Sequence, residues 1–450
     1  MHASTKLSLA ALLAVSLPVS AQDKVDQVTG VPVPELAGVD QVVIDYMEDN
    51  GIPAGVVGII RQGRIVYQRG FDTPENTALR TASVEKPFMA AAVERLIDEG
   101  TLDRDAFVFD LGQLPVSGIL DLPPHGGQLG TEELKTVTVD HLLEHKGGWD
   151  REISWDPMFN EVDIAAALGV ASPPSREETT IYMLSRPLQH TPGSTYSYSN
   201  FGYMLLGLIV RELTGMEPIQ FLTSRTVTAE DWVPATEVIW GRSLKPGRSY
   251  RERGYKYTSK SVNVFDPGGD LVPRPDGGFH LEGMQGHGNL VMSTTPILRF
   301  LDRYHVAGDE IGRDHLGVPE NYQFLGLLHG SSACAMQRDD DVHIAVIYNH
   351  SSFTREYAFD TASLVREWLD TNVTTWPTDE VDGFWVDFHA DAPSSWGAYD
   401  TPFGTMDDAL DVTTDGTKLH FQPGSSGSWA GTTTDKMIWD APEGTVLIGG

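Results

Sequence analysis

Apolar residues recur at helical spacing across residues 33–49 (Leu36, Val39, Val42, Val43, Tyr46, Met47), and Gly51-Ile52-Pro53 then stops the pattern. Two runs rich in β-branched residues follow, 55–60 and 64–69, on either side of Arg61-Gln62-Gly63. A glycine-containing connection of that length predicts a hairpin. Helical spacing returns over 83–100, where Phe88, Ala91, Ala92, Val93, Leu96 and Ile97 carry the apolar pattern. The middle of the chain mixes short helical patterns with Pro- and Gly-rich loops. Beyond it, residues 323–336 and 342–348 read as strands joined by the acidic turn Arg338-Asp339-Asp340-Asp341, and a last helix is expected over 355–369. Helices interrupting one antiparallel sheet assembled from both ends of the chain describe an α+β fold.

The pattern changes after this body. Residues 372–382 (NVTTWPTDEVD) are polar, contain a proline and lack helical spacing, so they read as a linker. Residues 383–450 are rich in Gly, Thr and Asp with short apolar runs such as Phe384-Trp385-Val386, which predicts a small all-β module. By fold-level analogy it looks like the edge of an extracellular β-helix or a carbohydrate-associated module, surface- or glycan-associated, with core packing the expected use of most of its aromatic residues. At the other end, Lys6, the apolar run 7–17 and Val19-Ser20-Ala21 form a secretory leader over 1–21, leaving 22–371 as the main domain. Export to the periplasm or the medium is the expectation. No stretch is long and uncharged enough to span a bilayer, and Gln22 stands where a lipid anchor needs a cysteine.

A formal net charge of −31 argues against nucleic-acid partners, which require clustered Lys and Arg. It fits a highly soluble protein, and one working in salt that screens self-repulsion. The single cysteine, Cys334, excludes an intrachain disulfide and lies in an apolar stretch. A packed thiol is the expectation there.

Candidate chemistry begins at Ser83-Val84-Glu85-Lys86. Residues three apart on a helix share a face, so the Lys86 amine can approach the Ser83 hydroxyl. A desolvated lysine has a lowered pKa and can take the proton of a serine nucleophile. Taken alone, the same spacing also fits an N-capping serine beside an exposed lysine. The second segment is Tyr198-Ser199-Asn200, on a Pro/Gly-rich loop before an apolar helix. A phenol near an ammonium is biased toward phenolate and can relay a proton, while Asn200 can hold a substrate carbonyl or orient Lys86. A packed tyrosine with Asn200 as helix N-cap is the structural alternative. His141-Leu142-Leu143-Glu144-His145 has the form of an inverted zinc-protease motif, but no third ligand can be named. It reads better as a short helix capped by Thr138 with Leu142 and Leu143 inward. No metal and no organic cofactor are expected.

Together, Gly51-Ile52-Pro53, the hairpin, the segment 80–88, the segment 137–148 and the Tyr198 segment resemble the class C β-lactamase-like family, which includes penicillin-binding carboxypeptidases and related esterases. The resemblance covers roughly residues 35–365. It implies a five-stranded antiparallel sheet with flanking helices, a helical subdomain and a cleft between them. It also implies an acyl-enzyme, with Ser83 as nucleophile, Lys86 and Tyr198 sharing acid/base work, and Asn200 contacting substrate. The family's third element, a strand-borne Lys-Thr-Gly or His-containing relative, is matched by position to His329-Gly330-Ser331, where Ser331 replaces glycine. His329 and Gly330 would then contact substrate, and the backbone N–H groups of Ser83 and Ser332 would form the oxyanion hole. His125-Gly126-Gly127 looks similar but lies in a Pro-rich loop and reads as a turn.

The expected activity is hydrolysis of a small-molecule or peptide ester or amide: esterase, D-Ala-D-Ala carboxypeptidase or β-lactamase. The absence of Lys-Thr-Gly favours the first two, since a lysine is the better partner for a β-lactam carboxylate. The alternative is a catalytically silent protein of the same fold that binds peptidoglycan or another ligand.

Overall fold

The computed structural model describes residues 24–450 apart from 114, 226–236, 258, 305–321, 390–396, 401, 412, 414–416, 428, 434–436, 442–445 and 449–450. The leader expected at 1–21 lies outside the described residues. The first helix forms as Ala37–Asn50 after a 3₁₀ turn with a proline at its start, and it ends on Gly51 in the left-handed conformation, φ 62°. Glycine meets no Cβ penalty there, which is why the sequence stops the helix at that point. The hairpin follows as Gly55–Arg61 and Arg64–Phe71. Its two turn residues, Gln62 and Gly63, both have positive φ (49° and 76°), the backbone that matches the twist of paired strands.

Six strands make the main sheet, in the order Val28–Thr29, Arg64–Phe71, Gly55–Arg61, Val342–Tyr348, Ser331–Gln337, Tyr322–Leu328, and every neighbouring pair is antiparallel. Five of these are the expected sheet, and Val28–Thr29 extends it by a two-residue edge. One boundary differs from the sequence reading. Residues 323–336 are not one strand but a hairpin, Tyr322–Leu328 and Ser331–Gln337, turning at His329-Gly330 with Gly330 at φ 92°. A near-continuous apolar run hides such a turn, because buried strands lose their polar/apolar alternation.

Helices cover both faces. Tyr348 hydrogen-bonds Thr361 of the helix Tyr357–Asn372 on one side, and Gly58 lies against Leu298 of Thr294–Arg303 on the other. The second half of the body is helical and is centred on Asn200–Thr214, which is buried continuously from Asn200 to Val210. Between the halves runs Glu85–Asp98. It packs against Asn200–Thr214 and stacks Phe88 on Phe300 of Thr294–Arg303, ring centroids 4.2 Å apart. Its first nine residues are all buried, so it serves both halves as a shared core element.

The segment after Asn372 is irregular but lies on the body. The Val381 N–H donates to the Ile65 carbonyl at 2.9 Å, and Arg299 pairs with Glu380 (2.6 Å) and Asp382 (2.8 Å). Beyond it, short strands pair in parallel: Phe384–Val386, Lys418–Phe421 and Ile438–Asp440 in one sheet, Gly424–Ser425 with Val446–Leu447 in another. They enclose a separate small core that includes Phe384, Val386, Phe403, Leu419 and Phe421. Cys334 is fully buried in the main sheet.

Candidate active site

A cleft of about 590 Å³ opens where Glu85–Asp98 begins. The chain reaches it from the strand Leu79–Arg80, fixed by the buried Arg80, whose guanidinium pairs with Glu252 (3.2 Å) and donates to the carbonyls of Pro275 (2.8 Å) and Arg242 (2.9 Å). Ala82 then adopts φ 49°. A left-handed alanine costs on the order of 1 kcal/mol and persists only where its surroundings impose it. Here it turns the chain so that Ser83 faces the cleft at a helix N-terminus, where N–H groups lack intrahelical acceptors.

One turn on, the fully buried Lys86 amine donates to the Ser83 Oγ (3.1 Å), the Asn200 Oδ1 (2.8 Å) and the His287 carbonyl (3.0 Å). Among the described residues no carboxylate bonds it directly. Asp156 is held one residue away, accepting from the other end of the Asn200 amide at 2.6 Å. Burial therefore pushes the Lys86 pKa down to about 7, with Asp156 and Glu85 pulling it up only partly. Glu85 turns away from the cleft and accepts the backbone N–H groups of Gly286 (2.6 Å), Asn289 and Leu290 (3.2 Å). It thereby fixes the segment whose His287 carbonyl meets Lys86.

Tyr198 comes from the loop before Asn200–Thr214. Ser199, rather than Asn200, caps that helix by accepting from Gly202 N–H at 3.0 Å, which frees the Asn200 side chain for Lys86. The Tyr198 phenol lines the cleft beside Ser83, and its ring centroid lies 4.7 Å from the Lys86 amine. Burial raises its pKa to about 12, against the opposing influence of Ser83 and the Arg151 charge. The expected bias toward phenolate is thus reversed, because removing the ring from water outweighs the nearby cations. Ser83, Lys86, Tyr198 and Asn200 therefore converge at one point.

The two histidines of the 141–145 segment serve different neighbours. His141 forms a capping box with Thr138 on the short helix Val139–Leu143. His145 packs its ring on Tyr198 (4.6 Å) and Tyr203 (4.7 Å) and accepts Ser199 N–H at 3.1 Å. Burial and the Lys86 and Arg151 charges hold it neutral, its pKa near 3. Asp156 was not nominated from sequence and His145 was weighed there only as a zinc ligand, since each matters only through a fold-made contact. His125–Gly127 is an exposed turn, as read.

The third element departs from the sequence assignment. Ser332 lies on an interior strand paired on both sides, with its hydroxyl donating to the His350 carbonyl at 2.9 Å. Its N–H belongs to the sheet and is not available as an oxyanion donor beside Ser83. Gly330 is a turn residue whose N–H donates to Ser351 Oγ at 2.9 Å, and it does not line the cleft. Ser331 is buried and donates to the Arg80 carbonyl. His329 does line the cleft, bonded to the Tyr257 hydroxyl at 2.6 Å, with its pKa lowered to about 4 by burial and by Arg274.

The strand beside the nucleophile is the outer one, Tyr322–Leu328. Gly326 passes so close that any side chain would collide with the Thr81 carbonyl oxygen. Leu328 and Ser331 close the two-residue turn, so their backbone groups face each other. Alternation then directs the N–H of Leu327 to the unpaired edge, toward Ser83.

The sequence profile of the family described as Beta-lactamase matches residues 39–357. A protein of Escherichia coli O157:H7 provisionally named a D-alanyl-D-alanine carboxypeptidase is 30% identical over 232 residues, 45% of this chain and 49% of its own length. Esterase EstB of Burkholderia gladioli is 29% identical over 191 residues, 40% of this chain and 45% of its own. The chain thus spans about half the length of these curated relatives. Among solved structures, D-amino acid amidase from Ochrobactrum anthropi SV3 superposes with a TM-score of 0.53 at 18% identity, over 74% of this chain and 98% of that one. That likeness shows the fold alone. With the profile covering most of the chain, this protein belongs to the Beta-lactamase family.

Proposed function

We propose that the protein is a serine acyl hydrolase that cleaves an ester or amide through an acyl-enzyme on Ser83. The observation that carries this reading is the convergence on one cleft of the Ser83 hydroxyl, the Lys86 amine at 3.1 Å from it and the Tyr198 ring 4.7 Å from that amine. With a pKa near 7, Lys86 is substantially neutral at physiological pH and accepts the Ser83 proton as Oγ attacks the acyl carbon. Tyr198 stays protonated and donates to the departing oxygen or nitrogen, then recovers a proton from the Lys86 ammonium. The N–H groups of Ser83 and Leu327 face the developing oxyanion, each such donor contributing about 3–4 kcal/mol. Water then attacks the acyl carbon and releases Ser83. The relatives named as an esterase and, provisionally, as a carboxypeptidase support this range of bonds. The leader read at 1–21 supports action outside the cytoplasm.

The test is incubation with a fluorophosphonate, 4-nitrophenyl butyrate and a fluorescent penicillin. Labelling of Ser83 and ester turnover are expected, both lost in Ser83→Ala. A folded protein that neither labels nor turns over any of the three overturns the proposal.

A further inference from the structure

Glu85 stands between Ser83 and Lys86 in the sequence, and its side chain is sealed in the interior, 1% exposed. A carboxylate there without partners would be costly. It has three donors instead: the Gly286 N–H on one oxygen, and the Asn289 and Leu290 N–H groups on the other. An ionised carboxyl suits this cluster because both of its oxygens accept and neither donates. Burial nevertheless raises its pKa to about 7, against those three hydrogen bonds and the Lys86 charge.

The donors belong to a stretch that touches the reactive residues twice. Its His287 carbonyl accepts from the Lys86 amine at 3.0 Å. Its Leu290 carbonyl accepts both the N–H and the hydroxyl of Thr81, at 3.0 and 2.9 Å. Thr81 immediately precedes the left-handed Ala82 that turns Ser83 into the cleft. The stretch is closely fitted elsewhere too. A side chain at Gly286 would strike the Tyr203 carbonyl oxygen, and the Asn289 amide donates to the carbonyls of Gly241 (3.1 Å) and Leu281 (2.8 Å).

We propose that Glu85 is a positioning residue for acyl transfer: by binding the 286–290 stretch it holds the Lys86 amine and the turn before Ser83 in register with each other. The inference rests on the acyl-hydrolase reading of the same cleft. Glu85 acts through these neighbours and touches no reacting atom. It also acts by charge. Glu85 and Asp156 favour the Lys86 ammonium, burial and Arg151 oppose it, and the rings of Tyr198, Tyr203 and the neutral His287 complete the surroundings.

Glu85→Gln is close in shape but turns an NH₂ group toward N–H donors and removes the charge. With 4-nitrophenyl butyrate, kcat per folded molecule should fall about ten- to a hundredfold with KM within about twofold, the scale of a small misplacement of reacting groups. The rising limb of the pH profile should move about half a unit or more to lower pH, because one of the two charges favouring the ammonium is gone. Glu85→Asp keeps the charge but loses reach, so kcat should fall with the limb in place; this variant carries the test if the glutamine protein does not fold. Wild-type kcat in the aspartate protein, a loss of activity that merely follows the folded fraction, or an unmoved limb in Glu85→Gln overturns the inference. The Lys86 titration can also be followed by NMR in ¹³C-lysine-labelled protein, where the same shift is expected without turnover. A wild-type protein that hydrolyses no ester therefore counts against the hydrolase reading instead.

Discussion

Two buried cations, Lys86 at the cleft floor and Arg299 under the 373–382 segment, receive opposite treatment. Arg299 has two carboxylates bonded to it, Glu380 at 2.6 Å and Asp382 at 2.8 Å, and Lys418 joins the same cluster. Burial would lower its pKa, but those charges hold it above the ordinary range. Burial would likewise raise Asp382, which Arg299 and Lys418 instead hold down to about 2. Lys86 has an amide where a carboxylate could stand, and Asp156 waits behind it. Arg299 is therefore a permanent ion that ties segments together, while Lys86 is an amine able to exchange a proton near neutral pH. The difference between a structural and a chemical site lies here in one withheld counter-ion.

Replacing each cation by methionine should separate the two roles. Lys86→Met is expected to lower ester turnover by roughly 10³–10⁴, the scale of lost acid/base help, while thermal unfolding stays level or moves up because a desolvated amine has been removed. A large fall in melting temperature would break the contrast. Arg299→Met should do the reverse. Stability should drop by about 3–5 kcal/mol, since Glu380 and Asp382 lose their partner, and ester turnover per folded molecule should stay within about twofold. Denaturant titration checks the first number and initial rates the second.

The smallest effect concerns pH. With the base titrating near 7, kcat/KM should rise about tenfold per pH unit below that value and level off above it, because only the neutral amine accepts the Ser83 proton. Asn200→Asp places a carboxylate directly on Lys86. It favours the ammonium, so the rising limb should shift by a unit or more to higher pH. An unmoved limb would show that the Asn200 spacer does not set the amine's pKa.

Ser83 and Lys86 were legible in the sequence because helical spacing places them on one face and the segments around them, taken together, resemble one family. The Tyr198 segment stood out through its composition and its position before an apolar helix. What stayed hidden shares a physical cause. The outer-strand contribution proposed near Ser83 is a backbone N–H, that of Leu327, and every residue but proline has one, so no side chain marks it. His329-Gly330-Ser331 drew attention by its chemistry, but its glycine makes the turn and its serine is buried against the Arg80 carbonyl. The polarity of Tyr198 was misjudged because the sequence shows the neighbouring cations but not the loss of water. In residues 383–450 the described strands are two to four residues long, too short for any period to register, so no repeat marked their parallel pairing.

The helix Glu85–Asp98 is wedged between the sheet and the helical half along its buried first turns. Neither half can hinge away from the other without tilting the rod that carries Ser83 and Lys86. The width of the opening is thus tied to the integrity of the reactive group itself. Selection among ligands that enter this opening then falls to the side chains on its walls.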